Sequence, residues 1–223
     1  MRKRYKIFLL IIVFLLVITC GLTIYMKFFR KSEVNDTKKT NIVHNIKQYG
    51  YSLDDRDSKL MKEEFYNLED ILDSEEVDYN KYVESISKLF IIDLFTMNNK
   101  VNKYDVGGLE YILDSEQEKF KNIVIDSIYS TLLDNSNNDR TQKLPIVSKV
   151  NINNITESTF MLGEESVNSY VVDIVWDYTE DLGYDNNAVL TIIIKDDKAY
   201  IVEYKVLEES LEESITEWRI LTQ

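Results

Sequence analysis

The sequence predicts an α+β protein with an N-terminal transmembrane helix, then about three helices packed on a curved, cone-like antiparallel meander of about four strands. Three observations carry this prediction. Residues 7–26 form an uncharged apolar run, residues 54–132 place apolar side chains every three or four positions, and the chain after Pro145 places them every second position. A spacing of three or four residues is typical of helices, and alternation at every second residue is typical of strands. The chain therefore divides into a cytoplasmic basic tail (1–6), a transmembrane helix (7–26), a tether (27–53) and an extracytoplasmic domain (54–223).

The apolar run at residues 7–26 is long enough to cross a bilayer once. Twenty helical residues span about 30 Å, the thickness of the hydrocarbon core. Fourteen of the twenty are Leu, Ile, Val or Phe, which favours insertion by about 4 to 8 kcal/mol. The alternative, a cleaved secretory signal, would carry a small-residue cleavage site. Long domains translocate largely regardless of charge, so we expect a single-pass cell-membrane protein with its N-terminus inside and its C-terminal domain outside.

Cys20 is the single cysteine and lies inside this run. Residues 17–21, VITCG, resemble a degenerate lipobox, the lipid-attachment signal of bacterial lipoproteins. The apolar run continues to Met26, which favours a thiol buried in the membrane instead. With one cysteine the chain forms no internal disulfide.

The charge of the exported part limits its partners. After residue 31 the chain has 39 Asp and Glu against 19 Lys and Arg, a net charge of −20 with the histidine neutral. A charge of this sign repels phosphate backbones, so we expect no nucleic-acid partner. The expected partners are the lipid bilayer, through residues 7–26, other envelope proteins, and a second copy of the chain. A single proline and frequent Asn, Lys and Ile indicate an AT-rich coding genome and a bacterial origin.

Two amphipathic segments open the domain. Asp54 or Asp57 is expected to cap the first helix, and residues 79–97 form the second, which is apolar on most sides and therefore central and buried. Charged residues interrupt the alternative reading of 79–97 as another membrane span. The first helix has one apolar stripe, made of Leu60, Met61, Phe65, Leu68, Ile71 and Leu72.

A glycine turn and a third helix follow. Gly107-Gly108 indicates a turn that permits positive φ, and its successive amides could alternatively bind an anion. Ser115 and Glu118 have the spacing of a capping box. The helix that this box would open continues to Leu132.

The strands follow Pro145. The first contains Val150 and Ile152 and extends toward Phe160. The second, residues 168–178, alternates an aromatic face with a polar one. The third and fourth, residues 188–195 and 200–206, are joined by a tight hairpin at Asp196-Asp197.

Residues 207–223 repeat the sequence Leu-Glu-Glu-Ser and place Leu211, Ile215 and Trp218 on one helical side. Two interpretations remain open: a final helix folded onto the sheet, or a helix that binds a partner through these three residues. Residues 218–222 could instead form a short closing strand.

Few residues suit catalysis. His44 is the only histidine and is assigned to the tether, which excludes histidine-dependent nucleophilic and zinc chemistry from the folded domain. No phosphate-binding glycine motif is present, and no cofactor or metal is expected. Carboxylates on the strands could serve a glycosidase, with solvated strand faces as the plainer interpretation: Asp173, Asp177 and Glu203. Oxygen ligands around Gly183 suit calcium but lack the EF-hand order: Asp177, Glu180, Asp181, Asp185 and Asn186.

The order of anchor, tether, helices and meander resembles the nuclear transport factor 2-like fold, a cone in which helices pack into a bent sheet. The strand segments SYVVDIVWDYT and AVLTIIIKDDKAYIVEYKV carry the resemblance, which covers residues 79–206. Within that fold the chain is similar to the single-pass scaffold proteins of type IV secretion and Gram-positive conjugation machinery. This resemblance implies an extracytoplasmic domain that assembles with other channel subunits, and it transfers no site residue.

The predicted function is therefore a noncatalytic interaction or assembly module of the envelope. A rival interpretation is a small-ligand-binding cone, and a third is a carboxylate-dependent hydrolase. A filled cone would disfavour ligand binding, whereas an open cavity would support it. The ligand-binding interpretation names four aromatic residues: Tyr170, Trp176, Tyr200 and Tyr204.

Overall fold

The structure, a computed structural model, describes residues 40–206 and 217–219 and confirms the α+β class with an antiparallel meander. A two-stranded hairpin precedes the helices, and a five-stranded sheet in the order β3-β4-β5-β6-β7 follows them. The helices are α1 (Lys59–Leu72), α2 (Tyr79–Phe95), a 3-10 helix (Leu109–Tyr111) and α3 (Gln117–Asp126). The strands are β1 (Ile42–Ile46), β2 (Tyr51–Asp54), β3 (Val147–Leu162), β4 (Glu165–Tyr178), β5 (Asn187–Lys195), β6 (Lys198–Lys205) and β7 (Glu217–Arg219).

The β1–β2 hairpin corrects the predicted tether. Residues 42–46 and 51–54 pair as antiparallel strands, and Tyr51 and Leu53 are fully buried in the core. The Tyr51 hydroxyl lies 2.8 Å from that of Tyr82 in α2 and donates to the carbonyl of Ala199 in β6. The folded part therefore begins before residue 54 and includes His44, whose Nε2 lies 2.8 Å from a carboxylate oxygen of Glu69. The prediction of a histidine-free domain was wrong.

Helix α1 buries the predicted stripe but begins one residue after Ser58, whose hydroxyl accepts a hydrogen bond from the Met61 amide. The predicted caps are used elsewhere. The Asp57 carboxylate accepts from the Asp54 amide at 2.7 Å, and the Asp54 carboxylate accepts from the Arg56 amide at 2.7 Å. Both carboxylates therefore close the turn before the helix, and Ser58 satisfies the helix end.

Helix α2 is the central buried helix, as predicted. Eleven of its 17 residues are buried, and the Asp78 carboxylate caps it by accepting from the amides of Asn80 and Lys81. In the described part of the chain no helix has the length and apolarity that a membrane span requires. The predicted transmembrane segment, residues 7–26, lies outside the described residues.

Helix α3 departs from the predicted capping box. It begins at Gln117 after Glu116, which makes no side-chain capping bond, and it ends at Asp126, before the predicted Leu132. The Ser127 hydroxyl donates back to the Ile123 carbonyl at 2.7 Å, and such bonds compete with helical continuation. Tyr129 then turns inward, because its buried hydroxyl donates to the Leu94 carbonyl of α2 at 2.7 Å.

The four predicted strands are present and longer than expected. Strands β3 and β4 pair along their whole length around Gly163, which has φ +65°. The predicted hairpin at Asp196-Asp197 is confirmed, with φ values of 51° and 62° that match a two-residue turn. As predicted, the aromatic face of β4 packs on the core, in which Val172, Ile174 and Trp176 are buried.

A β-bulge in β6 interrupts its pairing with β5, because Thr191 and Ile192 pair with Glu203 and Ile201 and leave Val202 as the extra residue. Because a bulge adds one residue to a strand, it reverses which side chains face the core. Ala199 and Ile201 therefore pack in the main core before the bulge, and Tyr204 does so after it.

Residues 217–219 form β7 and pair with β6, with Trp218 opposite Tyr204. This agrees with the alternative of a closing strand and corrects the predicted helix at these three positions. The rest of that predicted helix, including Leu211 and Ile215, lies outside the described residues.

Candidate functional site

Two of the four aromatic residues predicted to bind a ligand lie together beside α2. The rings of Trp176 and Tyr204 pack on Phe95 with centroids 4.9 and 6.3 Å away, and both are buried. Tyr170 lies on the same face of β4 but is only partly buried. Tyr200 packs in a second, smaller hydrophobic cluster on the opposite face. The bulge in β6 separates it from Tyr204, and no sequence period announces that bulge.

An open cavity of about 490 Å³ lies beside Phe95 and Tyr204. We call it the aromatic cavity. Its walls come from the end of α2, the segment after α3, the β4–β5 loop and the end of β6. Ligand sites commonly have volumes of roughly 300 to 1,000 Å³ and largely apolar walls. The apolar lining consists of Phe95, Ile128, Leu182, Tyr184, Tyr204 and Val206.

Two hydroxyls of the cavity lining and one beside it donate hydrogen bonds to backbone carbonyls. The hydroxyl of Ser127 donates to a backbone carbonyl, and that of Ser130 donates to the Ser127 carbonyl at 2.6 Å. The Tyr178 hydroxyl donates to the Asp185 carbonyl at 2.6 Å. Each of these oxygens keeps acceptor capacity. The hydroxyls of Thr131, Tyr184 and Tyr204 also line the cavity and can donate as well as accept.

The hydroxyl of Tyr204 is buried and has no hydrogen-bond partner among the described residues. Burial raises the pKa of Tyr204 well above its usual value, and the charge of Asp185 raises that pKa further. The phenol is therefore neutral at physiological pH and can both donate and accept. A buried hydroxyl without a partner costs about 1 to 3 kcal/mol, so an occupant of the cavity that bonds to it would relieve that cost.

A second, smaller cavity of about 240 Å³ lies between β2, the start of α1, α2 and the loop before the 3-10 helix. We call it the charged cavity. Arg56 forms an ion pair with Asp105, and the buried Lys100 forms one with Asp93. Burial lowers the pKa of Lys100, but Asp93 outweighs that effect and the pKa is raised overall. The charged residues of the lining are Asp54, Arg56, Asp57, Asp93, Lys100, Asp105 and Glu110.

The amides of Gly107 and Gly108 donate hydrogen bonds to two side chains of the protein itself. The Gly108 amide donates to the Asp93 carboxylate at 2.6 Å, and the Gly107 amide donates to the Tyr129 hydroxyl at 3.4 Å. Gly108 has φ +80°, which agrees with the predicted turn. The carboxylate of Asp93 therefore takes the place of the external anion that these amides could have bound.

Two other carboxyls of the charged cavity titrate near neutral pH. Desolvation raises the pKa of Asp57 to about 6. Desolvation, followed by the charge of Asp93, raises the pKa of Glu110 to about 7. The Glu110 carboxylate also accepts from the amide and the hydroxyl of Ser52, at 3.1 and 3.0 Å. These hydrogen bonds of Glu110 link β2 to the 3-10 helix.

Raising the pH from about 5 to about 8 is expected to destabilise the protein through Glu110. The unfolded state loses this proton near its ordinary pKa of about 4.5, whereas the folded state keeps it until about 7. The unfolded state then binds fewer protons across this window, so stability falls as pH rises, by up to about 3 kcal/mol from Glu110 alone. Urea unfolding at several pH values should show a shallower pH dependence in Glu110→Gln. The exposed control Glu118→Gln should keep the wild-type dependence, and a Glu110→Gln variant that also kept it would contradict the assignment.

Two of the three strand carboxylates considered for hydrolysis accept hydrogen bonds from a neighbouring strand. An Asp173 carboxylate oxygen accepts from the Asn153 side chain at 3.3 Å, and the Glu203 carboxylate accepts from the Thr191 hydroxyl at 2.9 Å. Asp177 is exposed. Within residues 40–206 no group of three His, Cys, Asp or Glu side chains could hold a metal ion.

The charged cavity was missed from the sequence. With 39 acidic residues in the chain, nothing distinguishes Asp57 or Glu110 from exposed carboxylates. The one available signal is Gly107-Gly108, which marks a close backbone approach beside Asp105. The predicted partner residues Leu211 and Ile215 lie outside the described residues, and only the backbone of Trp218 is placed, in β7.

Comparison with protein-family models, with characterised proteins and with solved structures gives no match to this chain.

Proposed function

We propose that the chain is a single-pass membrane protein, anchored by residues 7–26, whose extracytoplasmic domain binds other envelope proteins without catalysis. The anchor is inferred from sequence, as is the exported location. Helices packed on an antiparallel meander are compatible with the nuclear transport factor 2-like cone and with the scaffold proteins of secretion and conjugation machinery that use it.

The observation that carries the proposal is the open edge of β3. This strand has 16 residues and, among the described residues, pairs only with β4. Most of its side chains from Asn153 to Leu162 are exposed. Monomeric proteins usually shorten or charge such an edge, since its unpaired amides and carbonyls accept strands from other chains. After Lys149 the strand has one charged residue, Glu157, and no proline.

Site-specific photo-crosslinking in cells tests this proposal. A photoreactive amino acid at Thr159 or Met161 of the full chain should give covalent adducts that mass spectrometry identifies as other envelope proteins. The same group at Tyr66, an exposed residue of α1, should give none. Equal adducts at all three positions, or none on β3, would contradict the proposal. An adduct between two copies of the chain would assign the edge to self-association instead.

The aromatic cavity favours a second candidate, the binding of a small ligand. The cavity is open, is lined by the predicted Tyr204 and lies beside a hydroxyl that lacks a partner among the described residues. Ligand-observed NMR with a fragment library tests it: fragments should compete for one site, and Tyr204→Phe should weaken them. Binding that Tyr204→Phe leaves unchanged would place the fragments elsewhere.

A further inference from the structure

We propose that the open edge of β3 binds an extended, basic segment of another envelope protein, which pairs with residues 155–161 and places a Lys or Arg opposite Glu157. This inference rests on the proposed function and deepens it by naming the chemistry of the partner. Three features support it: the backbone groups that β3 leaves free, the protection of the opposite edge of the sheet, and the charge of this region.

The free backbone groups of β3 follow from the hydrogen bonds of β4. The Thr179 amide donates to the Ile146 carbonyl, on the β3 side, whereas the Trp176 amide donates to the Asn186 carbonyl, on the β5 side. Successive residues of a strand bond to opposite sides, so the even-numbered residues of β4 bond toward β5. Their partners in β3 therefore direct their amides and carbonyls away from β4. In the regular part of β3 these partners are Ile155, Glu157, Thr159 and Met161.

The opposite edge of the sheet is protected. Strand β6 pairs with β7 from Glu203 to Lys205. Near the start of β6, the Ala199 amide donates to the Tyr82 hydroxyl at 3.0 Å, and the Ala199 carbonyl accepts from the Tyr51 hydroxyl at 3.2 Å. Natural proteins cover sheet edges in such ways and thereby prevent pairing with other chains. Since β3 pairs only with β4 in the described part of the chain, the fold protects one edge and leaves the other available.

The charge of this region selects the partner. Between Lys149 and Lys195 the sequence has eight acidic residues and no Lys or Arg. Glu157 is the one charged residue among the four free positions and is exposed, and its carboxylate has no hydrogen bond or ion pair with a described residue. Residues directly opposite each other on paired strands have Cβ atoms about 5 Å apart on the same face. A Lys or Arg at that position of an incoming strand therefore meets the Glu157 carboxylate.

A second copy of the chain matches this edge poorly. The chain after residue 31 has a net charge of −20, so two exported domains repel one another. Two paired β3 edges would also bring together strands that have no cation after Lys149. A basic segment has neither disadvantage.

A peptide library tests the inference on the full chain in detergent. Nine-residue peptides displayed on phage would carry threonine at the odd positions and random residues at the four even positions, which a strand can place opposite the four free residues of β3. Peptides enriched on the wild type should carry Lys or Arg, because Glu157 attracts them. Glu157→Lys should instead enrich peptides that carry Asp or Glu.

Synthetic versions of the enriched peptides measure the effect by fluorescence anisotropy. Exchanging their Lys or Arg for Glu should weaken binding to the wild type at least about threefold, and Glu157→Lys should reverse this preference. Thr159→Pro removes an outward-facing amide, which an edge strand tolerates, and should weaken binding about fivefold or more. The matched control Thr159→Val keeps that amide and should bind as the wild type does. Circular dichroism and thermal unfolding would verify that the variants are folded.

The outcomes separate this inference from the proposed function. If the enriched peptides depend on the Thr159 amide but show no preference for charge, the edge accepts strands of any charge and the inference is overturned alone. If no peptide is enriched, or if folded Thr159→Pro binds the peptides as the wild type does, strand addition at β3 is overturned. The photo-crosslinking experiment then decides the proposed function independently. A dimer of the full chain that Thr159→Pro dissociates, measured by sedimentation velocity, would assign the edge to a second copy and overturn the inference.

Discussion

The Gly107→Ala variant is expected to lose about 3 kcal/mol or more of its free energy of unfolding. A Cβ atom at this position would clash with the Asp93 carbonyl oxygen and lie 2.6 Å from the carbonyl carbon, in the backbone of the central helix α2. Backbone cannot move aside as a flexible side chain can. Urea unfolding of the purified chain, followed by tryptophan fluorescence, measures the loss.

Gly163→Ala is the comparison variant for this substitution. Gly163 lies in the β3–β4 turn with φ +65°, and a Cβ there would meet nothing within 4 Å. This variant measures the cost of alanine at a positive φ, about 1 kcal/mol. Gly107→Ala does not carry that cost, because Gly107 has no positive φ, so its loss comes from the clash with α2. If Gly107→Ala were no less stable than Gly163→Ala, Gly107 would not lie in close contact with the Asp93 backbone of α2.

Replacing Lys100 with methionine is expected to lower the free energy of unfolding by about 3 to 5 kcal/mol. Lys100 is 6% exposed and forms the ion pair with Asp93. Methionine fills much of the same volume but leaves the Asp93 carboxylate without its counter-ion. Removing one partner of a buried pair costs more than removing both, because the remaining charge stays desolvated.

The double variant Lys100→Met/Asp93→Asn tests whether the unpaired charge causes the loss. It should recover a measurable part of the stability, since asparagine has no charge to bury. Equal instability of the single and double variants would assign the loss to packing instead.

The helices and the sheet could be predicted because their periods are regular over many residues. The apolar stripe of α1 and the alternation of apolar and polar residues in β4 each repeat several times. A single residue that departs from the pattern therefore does not hide it. The β1–β2 hairpin could not be predicted in this way. Ile42 and Val43 are 62% and 55% exposed, and only Tyr51 and Leu53 of β2 are fully buried, which gives too short a pattern to read.

The candidate sites were less accessible to sequence reasoning, for two physical reasons. A single extra residue in β6 reverses its faces, so Tyr200 and Tyr204 separate although their spacing suggested one face. Long-range contacts decide which carboxylates are buried and change their pKa, and Glu110 accepts a hydrogen bond from Ser52, 58 positions earlier in the chain. Tyr204 was found because an aromatic strand residue is conspicuous; Asp57 is one acid among 39.

The unequal lengths of the strands divide the sheet into regions of different stability. Strand β5 pairs with β4 only from Ser169 to Val175, so residues 159–168 form a two-stranded ribbon that extends past it. The ribbon packs on the smaller hydrophobic cluster through Phe160, Leu162 and Val167, apart from the main core. Fraying of its tip therefore costs less than global unfolding, and its amide protons can exchange with solvent while the rest of the sheet stays closed. An adaptable tip on an open edge can adjust its twist to an incoming strand.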